Sequence, residues 1–251
     1  MISKNNLKYI KSLQLKKFRK EENKFLVEGA KSVLELLNSN FNIHQLLVSE
    51  TYYHNNEKII HSKCKEFSIC TESEIEYAGS YSSNQSALAV VDMPQPSILL
   101  PNQGVSEYIL MLDNISDPGN LGTIIRIADW YGISKIIASE NTAELYNPKV
   151  IAASMGSFIR VNLFYTSLEE YLKNYKTFVY GASLDGKNIY DTKFNPSSGM
   201  LLLGSEAHGI NNSLYPFIDE LVFIPRFGGA ESLNVSVATG IFCDHIKRQC
   251  L

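Results

Sequence analysis

Near the amino terminus Leu7, Ile10, Leu13 and Leu15 recur close to helical spacing with lysines between them, and Ser3 stands ahead of them as a helix-capping residue. A short amphipathic helix is predicted there. Phe25, Leu26 and Val27 form a brief apolar run, after which Glu28-Gly29 leads into Val33, Leu34, Leu36 and Leu37, spaced as a helix that stops at Asn38-Ser39-Asn40. Strands are predicted over 44–49, 66–69 and 88–91, with a helical turn over 72–79, which together make a small α/β unit. Met93-Pro94-Gln95-Pro96-Ser97 and then Pro101-Asn102-Gln103-Gly104 break all periodicity. The chain is therefore divided into a first domain over 1–93, a linker over 94–106 and a second domain over 107–251.

Beyond the linker, apolar strands alternate with helices, the pattern of a largely parallel sheet covered by helices. Strands are expected over 108–112, 135–138, 178–182, 200–203 and 221–224. Helices are expected over 121–131, 148–154, 167–174 and 212–215, and a last one over 235–249. No repeat at solenoid periods and no low-complexity tract interrupts the pattern.

Composition narrows the class. The 251 residues are 45% hydrophobic, 20% charged and 11% aromatic, which excludes a disordered or fibrous chain. No apolar run approaches the roughly 18 to 20 residues of a membrane helix, and the basic start MISKNNLKYIKSLQLKKF lacks the apolar core of a secretory signal. A cytoplasmic protein with no membrane partner is expected. Cys64, Cys70, Cys243 and Cys250 are spaced neither as a disulfide framework nor as a zinc site, and His44, His54, His61, His208 and His245 show no paired ligand spacing. No metal is expected. The net charge of −3 hides an asymmetry, because the first 31 residues carry about +6 and the rest about −9. Such a basic end is either a phosphate-contacting surface for RNA or DNA or a solvated helix face.

Three segments of the second domain gather glycines and polar side chains at strand ends, where open α/β sheets place ligand sites. The first is Asp113-Asn114-Ile115-Ser116-Asp117-Pro118-Gly119-Asn120-Leu121-Gly122. On the helix that follows, Leu121, Ile124, Ile125 and Ala128 form an apolar stripe, so Arg126 points away from it, into solvent or into a site. The second segment is Leu201-Leu202-Leu203-Gly204-Ser205-Glu206-Ala207-His208-Gly209-Ile210. Its glycines allow backbone to approach a ligand closely, and Glu206 is a candidate ligand contact or helix cap. The third runs from Ile224-Pro225-Arg226-Phe227 through Gly228-Gly229-Ala230-Glu231 to Ser232-Leu233-Asn234-Val235-Ser236-Val237-Ala238. Ser232, Asn234 and Ser236 are more candidate caps than one helix start requires.

These segments resemble the three sequence motifs of the SpoU, or TrmH-like, family of RNA ribose 2′-O-methyltransferases. The first motif is matched by Asp117-Pro118-Gly119-Asn120-Leu121-Gly122 with Arg126. The second is matched by Leu203-Gly204-Ser205-Glu206 with Gly209, and the third by Ile224-Pro225 and Ser232 to Ala238. Ala153-Ser154-Met155-Gly156-Ser157 resembles the family's small-residue segment between motifs one and two. Lys16-Lys17-Phe18-Arg19, Phe25-Leu26-Val27-Glu28-Gly29 and Ala89-Val90-Val91 resemble its amino-terminal RNA-binding domain, although Ser82-Ser83-Asn84-Gln85-Ser86-Ala87 departs from the usual Thr-Pro-Gln-Gly pattern.

The resemblance implies an α/β protein with a small amino-terminal RNA-binding domain and a carboxy-terminal methyltransferase domain tied in a deep trefoil knot. It also implies a homodimer and S-adenosylmethionine as cofactor. No GxGxxG dinucleotide fingerprint opens a helix, in keeping with that expectation. By resemblance Arg126 is the catalytic residue, binding the phosphate next to the target ribose or handling the hydroxyl proton. Phosphate anchoring suits a guanidinium, which stays protonated. Asn120 and Glu206 would position Arg126 and the nucleotide, and Ser232 and Asn234 would orient the ribose or support the cofactor pocket. Leu203, Gly204, Glu206, Gly209, Ile224, Ser232 and Leu233 would receive the cofactor, and His208 is not carried over as catalytic. Ribosomal RNA of the large subunit is the favoured substrate. A tRNA methyltransferase and a catalytically silent RNA-binding or assembly protein of the same fold are the alternatives.

Overall fold

A computed structural model of the chain describes residues 2–81, 84–95, 107–175, 177–195 and 197–249. Its contacts divide into two units, one of residues 1–96 with 146–159, the other of residues 97–145 with 160–251. The segment 146–159, assigned by sequence to the second domain, thus packs with the first. Most of the expected linker and Ser82-Ser83 lie outside the described residues.

In the first unit, helix α1 (Lys4–Ser12) begins at Ser3, whose hydroxyl accepts from the Asn6 amide at 3.2 Å, as its sequence predicts. Then follow α2 (Lys16–Glu22), β1 (Lys24–Glu28), α3 (Ala30–Leu37), β2 (Ile43–Val48), α4 (Glu50–Lys63), β3 (Phe67–Ile69), α5 (Glu72–Ala78) and β4 (Ala87–Asp92). The sheet order is β1-β4-β2-β3, antiparallel except for the parallel pair β2 and β3. Because side chains alternate across a sheet, Leu26, Leu47, Leu88 and Val90 pack with Ile10, Leu13 and Ile75 while Phe25 takes the opposite face. There Phe25 meets Phe41, Tyr146 and Phe158, its ring 4.4 Å from that of Tyr146. The latter two are carried in by 146–159, which holds α7 (Pro148–Ser154).

Two helices here have no counterpart in the apolar pattern. Helix α2 is seven residues of almost continuous charge, and α4 buries only Tyr52 and Ile60 and is kinked at Asn56. Arg19, part of a basic end read from sequence as either an RNA contact or a solvated helix face, is instead 2% exposed. Its guanidinium donates to the carbonyls of Leu13 and Gln14 at 3.1 and 2.7 Å, closing the α1–α2 turn. Leu15, expected on the buried stripe of the first helix, is exposed beside it. Lys4, Lys8, Lys16, Lys17 and Lys20 remain exposed.

The second unit is a six-stranded sheet in the order β10-β8-β9-β5-β6-β7, every pair parallel. Its strands are β5 (Tyr108–Leu112), β6 (Lys135–Ala138), β7 (Asn162–Tyr165), β8 (Val179–Asn188), β9 (Gly199–Leu203) and β10 (Glu220–Phe223). Helices α6 (Pro118–Trp130), α8 (Leu168–Asn174) and α9 (Val235–Gln249) cover it, α6 and α9 packing on each other. The short edge strand β7, half-buried, is missing from the sequence expectation, β8 runs six residues past it, and 212–215 belongs to a 3-10 turn, Asn212–Phe217. Strands β5 and β9 are buried throughout, as expected for the centre of a parallel sheet. After β5 the chain builds outward through β6 and β7, then crosses to β8, β9 and β10 on the other side. The crevice beyond the carboxyl ends of β5 and β9 is therefore the switch point where such sheets bind ligands.

Among the described cysteines, Cys64, Cys70 and Cys243 are free and buried. Burial pushes the Cys243 thiol up to about 12 and those of Cys64 and Cys70 to about 11, which makes them inert packing groups. Replacing Arg19 by Met leaves the Leu13 and Gln14 carbonyls without their donor. It is expected to cost about 1–3 kcal/mol, read as a lower urea midpoint, whereas Lys16→Ala should stay within about 0.5 kcal/mol of wild type.

Candidate active site

Three loops meet at the switch point, leaving β5, β9 and β10 at their carboxyl ends. The first is set by Asp113, 4% exposed at the end of β5, whose Oδ2 accepts from the Asn211 amide at 2.7 Å. This carboxylate ties the loop after β5 to the loop after β9. It lies within the first motif segment, but nothing in the spacing singles it out; an Asp directly after an apolar run is the one signal in the sequence. Asp117 then caps α6, its Oδ1 accepting from the Asn120 amide at 2.8 Å, with Pro118 in the first turn.

The second loop is a tight turn closed by paired backbone bonds between Ser205 and Gly209 at 3.0 and 2.8 Å. Gly209 adopts φ +66°, a conformation other residues rarely take. A Cβ on Gly204 would lie 2.1 Å from the Gly209 carbonyl carbon, so only glycine lets the turn fold back on its own stem. The Ser205 hydroxyl accepts from the His208 amide at 3.2 Å, which leaves Glu206 projecting from the tip.

The third loop ends at Asn234, whose Oδ1 accepts from the amides of Ser236 and Val237 at 3.0 and 3.4 Å and from the Ser236 hydroxyl. Asn234 thus caps α9, and its amide nitrogen is left to point outward. It donates to Glu206 Oε1 at 2.8 Å and to Asn120 Oδ1 at 2.9 Å. Asn120 Nδ2 in turn donates to the same Glu206 oxygen at 3.0 Å, and the Val235 amide reaches it at 3.4 Å. Because a carboxylate oxygen accepts, both amides turn their nitrogens toward it, and the direction of each bond follows. One carboxylate oxygen gathers three loops; the other, Oε2, takes no hydrogen bond among the described residues.

Of the expected site residues, Asn120, Glu206 and Asn234 are therefore brought into one network. Leu203 and Gly204 form its stem, and Gly209 closes the turn. Arg126 is exposed on α6 and makes no hydrogen bond or ion pair among the described residues, and Ser232 is likewise exposed and unbonded. Ile224 is half-buried at the end of β10, and Leu233 is 46% exposed beside Asn234. The arrangement suits a ligand with both apolar and hydrogen-bonding parts. Leu233 and Ile224 offer apolar surface and Glu206 Oε2 a free acceptor, while Arg126 stands further along α6 than Asn120, without a hydrogen bond or ion pair among the described residues.

Comparison with known proteins gives the family. Residues 107–244 match the SpoU rRNA Methylase family, and residues 4–89 match the MRM3-like substrate binding domain. The 23S rRNA (guanosine(2553)-2′-O)-methyltransferase RlmP of Bacillus subtilis is 30% identical over 245 residues, covering 94% of each chain. Among solved structures, an RNA methyltransferase of the TrmH family from Porphyromonas gingivalis superposes with a TM-score of 0.84 at 32% identity, over 99% of both chains. An AdoMet-bound rRNA methyltransferase from Sinorhizobium meliloti gives 0.87 at 27%, over 100% of this chain and 98% of that one. The fold is that of an α/β RNA methyltransferase with a substrate-binding domain ahead of it in sequence. The chain belongs to the SpoU rRNA methylase family and transfers a methyl group from S-adenosylmethionine to a ribose 2′-hydroxyl of RNA.

Gly204→Ala forces the stem away from Gly209. It is expected to destabilise the fold by about 1–3 kcal/mol and to weaken S-adenosylmethionine binding, measured by calorimetry at a temperature where the variant remains folded.

Proposed function

We propose that the chain methylates a guanosine ribose of large-subunit ribosomal RNA. The observation that carries this reading is the end-to-end likeness to RlmP, 94% of both chains, including the amino-terminal domain. That coverage favours ribosomal RNA over the tRNA alternative, and the intact Asn120–Glu206–Asn234 network favours an enzyme over a silent binder. A ribosomal substrate suits a cytoplasmic protein. Exposed Lys4, Lys8, Lys16, Lys17 and Lys20 suit contact with RNA phosphates.

S-adenosylmethionine supplies a methyl group already activated on a sulfonium. The residues that would hold it are Leu203, Gly204, Gly209, Ile224 and Leu233 through backbone and apolar surface, with Glu206 and Ser232 as polar contacts. The chain's own task is to set a ribose hydroxyl in line and steady the charge that develops on it. Arg126, whose guanidinium makes no ion pair among the described residues, anchors the phosphate beside the target ribose. Asn120 and Glu206 keep the start of α6, and so Arg126, in register with the other loops, while Asn234 and Ser232 orient the ribose. The carboxy-terminal region forms the family's deep trefoil knot, and two chains pair through α6 and α9, where Trp130 and Val237 stand exposed.

Labelled methyl transfer to total RNA, resolved into nucleosides, tests the reading. Label in 2′-O-methylguanosine from 23S rRNA is expected, while label in a base or in tRNA would contradict it. Arg126→Ala should lower turnover about 10²- to 10³-fold with cofactor affinity and dimer mass unchanged; loss of folding would make the residue structural.

A further inference from the structure

The loop between Ile224 and Asn234 carries a side chain that nothing in the chain accounts for. Phe227 is 93% exposed, the most exposed of the large apolar residues described. Both ends of its loop are fixed in the site, one at the end of β10 and the other at Asn234 in the Glu206 network. At the preceding residue, Arg226 Nη1 donates to the Ala230 carbonyl at 3.2 Å, so the loop is closed on itself. The guanidinium is held there while its Nε and Nη2 keep no partner among the described residues. After the ring come Gly228 and Gly229, around whose missing side chains the space is open.

We propose that Phe227 and Arg226 hold the base of the nucleotide being methylated, the ring stacking on it and the guanidinium donating to the O6 and N7 edge of guanine. The inference rests on the guanosine reading above. A ribose hydroxyl can be set in line only if its nucleotide is drawn out of the surrounding RNA, and an unstacked base is held most generally by an aromatic face. Every base has such a face, so Phe227 supplies affinity without selectivity. Arginine pairs bidentately with guanine O6 and N7, so Arg226 supplies the selectivity. Both are substrate-positioning residues, placed on the loop that joins β10 to Asn234.

The test is steady-state methyl transfer to unmethylated 23S rRNA transcripts. Phe227→Ala should raise KM for the RNA about tenfold or more, with kcat changed little and the Kd for S-adenosylmethionine unchanged, and Phe227→Tyr should restore KM. Wild type should act poorly on transcripts made with 7-deazaguanosine, which lack N7, whereas Arg226→Ala should treat both transcripts alike. A wild-type KM in Phe227→Ala would overturn the proposal. So would a weakened cofactor Kd, which would put the ring in the cofactor pocket, or a loss of dimer, which would put it in the subunit interface. Absence of methyl transfer by the wild-type enzyme would overturn the ribosomal reading and the proposal with it, a failure distinct from variants that behave like wild type.

Discussion

The site depends on one carboxylate oxygen. Glu206 Oε1 is the point where loops from β5, β9 and β10 meet, through Asn120, Asn234 and the Val235 amide. The residues so joined stand 86 and 28 positions apart in sequence. The side-chain bonds are exposed to water, so each contributes only about 0.5–1.5 kcal/mol to stability. Their larger effect is geometric, because they set the start of α6 and the start of α9 against one turn. A bound cofactor that shields them from water would strengthen them, coupling cofactor binding to the order of the site.

That carboxylate can act only because the sheet delivers it. Parallel pairing brings Leu112 beside Leu203, so the chain leaves both strands at the same level. Asp113 and the Ser205–Gly209 turn convert that shared level into a fixed crevice. The two helix caps then do double duty. Asp117 holds the amide of Asn120 while the Asn120 side chain joins the network, and Asn234 caps α9 with its oxygen while its nitrogen reaches Glu206. Helix starts that would otherwise need only a satisfied amide are thereby recruited to build a binding surface.

The central strands were legible because full burial leaves a plain apolar run, as in Tyr108–Leu112 and Gly199–Leu203. What escaped were elements whose stability comes from elsewhere. Helix α4 buries two side chains in fourteen residues, and the edge strand β7 is held by pairing to β6 more than by burial. Arg19 reads as one more surface cation, and only the fold shows the carbonyls it serves. The glycines and polar residues of the three motifs marked the site, but composition and periodicity could not say which would touch. A capping role was foreseeable for Asn234; its bonds to Asn120 and Glu206 were not, since they span strands whose order periodicity does not encode.

The most direct test of this account is amide hydrogen exchange at Val235–Val237 in Glu206→Ala, paired with the Kd for S-adenosylmethionine. Loss of the shared acceptor should speed exchange at the start of α9 at least tenfold and weaken cofactor binding by a similar factor, while the sheet keeps its protection. Wild-type exchange and wild-type affinity in that variant would contradict the claim that this carboxylate organises the site.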